Sequence, residues 1–398
     1  MGSLIYLRLG KLELDWGKNS LFNNHSALFA PDDVRPAPYY YADGVIEEKP
    51  AFVRRLGSMV RRLDMLGFTL QACESLYDEM VEQAPRFYPS PDLTFEQFAG
   101  ILQQVDVDAV RLPEGQNGDY DLGDYVSELF QDPEFVKANP EVAALTRQDA
   151  TFFENLNPYL MLRLLVRNPA NAEKEVVWSF ADVLEGGWAE ESDIYEGVPQ
   201  TERWLVVTEG SSDGHVLREV LPIVAPDVAD FFEFVDMSEN YPFTGTGNVF
   251  RFCQGLARIR IQNRVLVVLD NDTVGHNAAR RIASLDLPPN MRVAVLPDLE
   301  ECSAVKTLGP SGEQREDINR RAVSIEWFLD TTSIKGKEPT VRWTSYDSEL
   351  DRYQGELIGK EAYVRDFLAA AKHPDGRSWP KLALLWSHLL GVCSAHDS

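Results

Sequence analysis

Two short apolar runs end abruptly in acids. Trp204-Leu205-Val206-Val207-Thr208 leads into Glu209-Gly210-Ser211-Ser212-Asp213. Arg264-Val265-Leu266-Val267-Val268-Leu269 leads into Asp270-Asn271-Asp272-Thr273-Val274-Gly275. A β-branched run without polar alternation reads as a strand buried on both faces of a parallel sheet. Such strands deliver the residues that follow them to one edge. Carboxylates gathered there repel one another, so the site makes sense chiefly with a divalent cation bound. The expected chemistry is magnesium-dependent phosphoryl transfer.

Each acid has its own reason to be there. Glu209 closes its strand, and Gly210 permits a tight turn. Asp213 opens the next helix, where it reads either as a metal ligand or as a helix cap. Asp270 and Asp272 lie two apart, so an extended backbone turns both to one side. Paired oxygens of that kind suit Mg²⁺ with its retained waters. A strand over 231–235 ends in a further acid, Asp236. Gly245-Thr246-Gly247-Asn248 leads into a helix, so its amides could cradle a substrate phosphate. An ordinary glycine loop is the alternative.

The elements that must position these groups follow a regular pattern. Strands at 204–208, 231–235, 265–269 and 292–296 alternate with helices at 213–221, up to Ile259, and at 274–284. That alternation implies right-handed crossovers and a parallel α/β sheet. Ligands bind such sheets at the C-terminal strand edge. Residues 1–150 read as a first, α+β block that opens with strands at 4–9 and 11–15, hinged at Gly10. An amphipathic helix is expected over 51–65, with Phe52, Leu56, Met59, Val60 and Leu63 on one face. Residues 151–200 read as a helical bridge with a buried helix over 159–166, residues 201–335 as the acidic domain, and 336–398 as a helical extension.

Bulk properties bound the function. At 398 residues and 44% apolar, the chain is long enough for two or three globular domains. No apolar stretch reaches membrane-spanning length. The N-terminal residues lack the pattern of a signal peptide or a myristoylation site. Four scattered cysteines, Cys73, Cys253, Cys302 and Cys393, fit neither a zinc site nor a disulfide framework. A reduced, cytoplasmic setting is expected. The net charge of −25 argues against indiscriminate nucleic-acid binding. It leaves room for a local basic face. The stretch 251–292 carries Arg251, Arg258, Arg260, Arg264, Arg280, Arg281 and Arg292, which read either as such a face or as solvated helix surfaces.

The Glu-Gly-Ser-Ser-Asp and Asp-Asn-Asp-Thr-Val-Gly elements resemble the Toprim domain of topoisomerases, bacterial primases and nucleases of the overcoming-lysogenization-defect family. The resemblance covers roughly 201–330. Asp15-Trp16-Gly17-Lys18-Asn19 with His25 resembles the N-terminal domain of HEPN/Toprim-associated proteins of bacterial conflict systems. Phe234-Val235-Asp236, Gly245-Thr246-Gly247 and the stretch from Gly309 to Glu326 are similar to the same group. The resemblance implies a Rossmann-like parallel sheet flanked by helices. It implies that Glu209 serves as acid/base group or metal ligand, and that Asp270 and Asp272 hold Mg²⁺ or Mn²⁺. From the nuclease branch it implies a further glutamate, matched by Glu326, and a lysine, matched by Lys360. The chain has no room for the tyrosine domain of a topoisomerase or the zinc module of a primase, which favours hydrolysis. It also lacks a P-loop, so a sensor or ATPase would come from a partner protein.

The leading expectation is a metal-dependent nuclease acting on DNA or RNA, oligomeric, without membrane attachment, serving antiviral defence. A non-catalytic Toprim-like module that holds nucleic acid, nucleotide or a protein partner is the alternative from another class. A primase- or topoisomerase-like accessory protein is a third. His276 and His215 read as surface residues or substrate contacts. Trp16, Trp178, Trp188 and Trp204 read as packing residues. Tyr39-Tyr40-Tyr41 reads either as an exposed aromatic contact or as a buried lid. No Arg-x4-6-His of a HEPN ribonuclease is visible.

Overall fold

The computed structural model describes residues 2–41, 45–83, 91–108, 122–140, 150–235, 246–330, 338–373 and 378–395. The chain divides into two units, Met1–Pro199 and Gln200–Ser398. It is a mixed α/β structure.

The first unit is built on five antiparallel strands. β1 (Leu4–Leu9) and β2 (Leu12–Lys18) form a hairpin, followed by β3 (Val34–Tyr40), β4 (Ile46–Arg55) and, after several helices, β5 (Glu175–Ser179). Their order is β2-β1-β5-β4-β3. β5 thus completes the middle of the sheet, with Trp178 opposite both Leu7 and Phe52. The Leu70–Gln83, Phe95–Gln104 and Pro158–Leu165 helices contribute Tyr77, Phe98, Leu160 and Leu164 to the same core. Trp178 stacks on Phe52 with centroids 5.8 Å apart. Thr94 and Gln97 form a reciprocal capping box that starts the Phe95–Gln104 helix.

Several expectations for this unit need correcting. Residues 51–65 are not one helix. The chain stays extended to Arg55, makes a 3-10 turn over Leu56–Met59, and is helical only over Val60–Met65. The apolar spacing suited a helix, but pairing of β4 with strands on both sides overrides that local pattern. Residues 151–200 carry the expected buried helix and also the central strand β5. Tyr39 belongs to β3, is 2% exposed, stacks on Tyr6, and donates its hydroxyl hydrogen to the Leu4 carbonyl. It is a packing residue. Trp178 is buried as expected, as is Trp204 of the second unit, whereas Trp16 and Trp188 stand exposed.

His25 anchors this unit. It is buried, with Nε2 2.7 Å from Asp15 Oδ2 and Nδ1 3.2 Å from the Tyr159 hydroxyl. Burial raises the Asp15 carboxyl, but hydrogen bonds from His25 and Asn23 outweigh it and hold the group below its ordinary value. A carboxylate depressed in the fold adds stability above its unfolded pKa of about 4, and loses it as the pH falls through the folded value. Asp15→Asn should therefore cost roughly 1–2 kcal/mol at pH 7, with little cost at pH 3. Urea unfolding of both proteins at the two pH values measures this.

The second unit is built on a parallel sheet. Its strands are β6 (Trp204–Thr208), β7 (Phe232–Phe234), β8 (Arg264–Leu269) and β10 (Met291–Val295), and the two-residue β9 (Asn271–Asp272) follows β8 outside the sheet. The sheet runs β10-β8-β6-β7, every pair parallel. Val265, Val267 and Leu269 share a core cluster with Val249 and Cys253 of the Thr246–Ile259 helix and Ala278 and Ile282 of the Thr273–Ala283 helix. Side chains alternate along a strand, so Leu266 and Val268 face the opposite side. The Pro380–Ser394 helix closes the chain, and its Trp386 packs edge-on against Phe232 at 5.0 Å.

A second sheet follows, of β11 (Val305–Gly309), β12 (Gly312–Glu316), β14 (Thr340–Asp347) and β15 (Arg352–Leu357), with the two-residue β13 (Ala322–Val323) outside it. β12, β11, β14 and β15 hydrogen-bond in that order, and β13 pairs separately with β9. The extension 336–398 therefore carries a hairpin before its helices. Thr340, Val341, Trp343, Thr344 and Tyr346 are strand-favouring types that explain it. All four cysteines are buried and unpaired. Among the described residues, no helix is long and apolar enough to cross a membrane.

Candidate functional site

The site forms where the two central strands stop. β6 and β8 run in register, Thr208 beside Val268. Glu209 and Asp270 therefore leave the sheet side by side. The Asp270 amide donates to Glu209 Oε1 at 3.0 Å, which ties the two strand ends together. Behind Glu209 the chain enters the Ser211–Val224 helix. Asp213 caps it, with Oδ2 accepting from the Gly210 amide at 3.1 Å.

Asp272 caps the Thr273–Ala283 helix, its Oδ1 accepting from the Gly275 amide at 2.7 Å. Its Oδ2 accepts from Gln354 Nε2. Gly275 is required by space. A Cβ there would stand 2.1 Å from the Asp270 carbonyl oxygen, inside any permitted contact. The helix start is thereby drawn against the strand end, with Asp270 and Asp272 on either side of the turn.

Glu326 arrives from much later in the chain. β13 pairs with β9, Ala322 opposite Asp272 and Val323 opposite Asn271. Immediately after β13, Ser324 Oγ donates to Glu326 Oε2, and the glutamate is only 3% exposed. Lys360 opens the Lys360–Ala371 helix and pairs with Glu356 at 2.9 Å. A cavity of about 490 Å³ opens beside these groups, lined by Ser212, Glu326, Lys360, Val364, Arg365 and Lys372 among others.

The electrostatics show how close these groups are. Burial pushes the Glu209 carboxyl up to about 8, helped by the charges of Asp272 and Asp213 and opposed by the Asp270 amide. Burial and Glu326 push Asp213 to about 7, against hydrogen bonds from Ser212 and Gly210 and the Lys360 charge. Asp270 is raised well above its ordinary value by burial and by Asp213, Glu209, Asp272 and Glu326. Asp272 is raised by burial, which outweighs its hydrogen bonds from Gly275 and Gln354. Burial lowers Lys360, but Glu356, Glu326 and Asp270 more than offset that. Glu209, Asp213, Asp270, Asp272, Glu326 and Lys360 thus share one neighbourhood, in which acids outnumber the lysine.

The donor chemistry of that neighbourhood fits a hard divalent cation: carboxylate oxygens, in surplus, at a sheet edge. Their placement is looser. Among the described residues, no group of three or more His, Cys, Asp and Glu is arranged to hold a metal ion. Glu209, Asp213 and Asp272 instead direct oxygens to backbone amides. Some of those bonds would have to be exchanged for metal bonds.

Gly247 and Asn248 lie in the first turn of the Thr246–Ile259 helix, which Thr246 begins. Asp236 and Gly245 fall outside the described residues. His276 Nε2 lies 2.7 Å from Asn271 Oδ1, and Asn271 in turn donates to Asp298 at 2.8 Å. His276 is therefore bound up in an internal relay behind Asp272. Gln354 had no signal in the sequence. It sits in a polar hairpin and becomes notable only because β15 lies against the turn after Asp272.

Carboxylates raised in the fold cost stability as the pH climbs from their unfolded values near 4 towards their folded ones. Glu209→Gln and Asp270→Asn should each stabilise the chelator-treated protein by roughly 1–2 kcal/mol at pH 8, and less at pH 5. Thermal melts at both pH values test this. Gly275→Ala should do the opposite, lowering Tm by several degrees or more, because the backbone contact leaves a Cβ nowhere to go.

The HEPN/Toprim N-terminal domain 1 family matches residues 1–202. That is the first unit and the approach to β6, and it stops short of the carboxylates. No curated protein and no solved structure matches the chain.

Proposed function

The chain belongs to the HEPN/Toprim N-terminal domain 1 family, and we propose that its second unit is a Toprim nuclease domain that hydrolyses phosphodiester bonds of DNA or RNA with Mg²⁺ or Mn²⁺. The observation that carries this reading is the gathering of Glu209, Asp270, Asp272, Asp213 and Glu326 at the C-terminal edge of a parallel sheet, with Lys360 acting on Asp213, Asp270 and Glu326. So many mutually repelling carboxylates are costly without a task. Glu209, Asp270 and Asp272 would hold the metal, with Asp213 or Glu326 completing the set. When bound, the metal supplies charge for the phosphate oxygens and a water made acidic enough to attack.

The chain's own residues have distinct tasks on this reading. Glu209, with its carboxyl raised towards neutrality, can carry a proton to or from the reacting oxygens. Lys360 presents its ammonium to the charge that grows on the phosphate. Gly245, Thr246, Gly247 and Asn248 are candidates for a neighbouring phosphate, and Asp236 for a further ligand. Residues 1–150 would serve recognition or assembly, and 336–398 would complete the site. An antiviral role, an oligomeric state, a cytoplasmic location and a sensor or ATPase partner belong to the same proposal. They rest on the family resemblance alone.

One observation favours a second reading. Asp213 and Asp272 are engaged as helix caps, which suits a Toprim-like module that binds without cutting. Incubation of the purified protein with plasmid, single-stranded DNA and total tRNA, with Mg²⁺, Mn²⁺ or chelator, separates the two. The nuclease reading expects metal-dependent cleavage that falls at least ~100-fold in Glu209→Ala and Asp270→Ala. Cleavage that survives both substitutions would sink the site assignment. Metal-independent binding without cleavage would favour the module.

A further inference from the structure

A second cavity, of about 520 Å³, is lined by Asn319, Arg320, Arg321, Tyr346, Asp351, Arg352 and Tyr353. Nothing in the chemistry above uses it. It joins cations to aromatic faces on a chain of net charge −25, where a positive recess has to be built locally.

Two of the three arginines are committed. Arg320 pairs with Asp298 at 3.2 Å. Arg321 lies over the Trp343 ring at 4.2 Å and within 3.6 Å of Glu316. Arg352 is exposed and makes no ion pair among the described residues. Asp347 stands opposite it across the hairpin, but that carboxylate is taken by Asn277 and by the Glu349 and Leu350 amides. The acid within the recess, Asp351, accepts a hydrogen bond from the Tyr346 hydroxyl. Tyr346 and Tyr353 are cross-strand partners, 5.1 Å apart and 52% and 38% exposed. Large aromatic rings left in solvent beside an unpaired guanidinium suit a ligand with a flat face and an anion.

The recess is wired to the carboxylate cluster through the backbone. The Thr273 hydroxyl donates to the Tyr353 carbonyl at 2.9 Å, and Gln354 bridges the Val274 amide and Asp272. On the other wall, the backbone of Arg321 forms an isolated parallel β-bridge with that of Asp272. The recess and the carboxylate cluster therefore share the backbone of β15 and the turn after Asp272.

We propose that this recess is a subsite for one nucleotide of a single-stranded nucleic acid, its base stacked on Tyr346, which Tyr353 braces edge-on, and its phosphate held by Arg352. The inference deepens the nuclease reading and rests on it for the identity of the strand. It excludes a duplex, whose bases are not free to stack on tyrosines.

The test is fluorescence anisotropy of the full chain in chelator, so that binding is read without cleavage. The probes are fluorescein-labelled 12-mers of dT and of U, and a DNA duplex of equal length, with AMP as competitor. Wild type should bind at least one single strand more tightly than the duplex. Arg352→Ala and Tyr346→Ala should each weaken that binding about 5-fold or more, whereas Tyr346→Phe should retain it. Unchanged Tm values show that the variants fold. Binding unaltered in both alanine variants, or equal affinity for the duplex, would overturn the subsite. AMP competing as well as the 12-mer would overturn the single-strand source. A protein that cuts nothing with any metal, yet loses single-strand binding in these variants, supports the subsite and removes the nuclease reading instead.

Discussion

The second unit depends on one pairing, the in-register parallel ladder of β6 and β8. It makes Glu209 and Asp270 neighbours, although their carboxylates repel. The fold supports that contact by giving Glu209 an amide to accept from, on the backbone of Asp270 itself. The strand interiors do the remaining work. Val206, Val207, Val265, Val267 and Leu269 are buried on a sheet covered by helices, and their burial holds the charged edge in place. Apolar packing thus bears the electrostatic cost at the strand ends.

The later part of this unit serves the same edge. β13 carries Glu326 inward, the hairpin of β14 and β15 lays Gln354 against Asp272, and the Lys360–Ala371 helix brings in Lys360. None of these lies near the two acidic runs in sequence. A parallel sheet ends its strands at an open rim, and whatever covers that rim determines which side chains join those already there.

How much of this could be read beforehand depends on how local the cause is. The alternation of β6, β8 and β10 with helices was legible because buried strands and crossover helices have different periods. The placement of Asp213 at a helix start and of Asp272 in extended backbone followed from neighbouring residues alone. Glu326 and Lys360 entered only through a family resemblance, since nothing near them in sequence marks a site. The 51–65 segment misled because its apolar spacing suited a helix, while its partners lay in strands that local pattern could not reveal. Gln354 and the Arg352–Tyr346 recess were invisible for a related reason. They are products of β14 and β15 folding over the rim, in a stretch that reads only as charged.

The pairing of β13 with β9 has a consequence for how this chain can vary. It is two residues long, so no longer ladder corrects its alignment. In a strand, a slip of one residue turns every side chain to the other face. Between Asp272 and Ala322 lie surface loops that tolerate added length, because lengthening a loop costs little free energy. The span from Ala322 to Glu326 has no such freedom. A single inserted residue there would break the short turn that delivers the glutamate from β13 to the cluster. Descendants of this chain are thus free to grow between these landmarks and are held to fixed spacing within them.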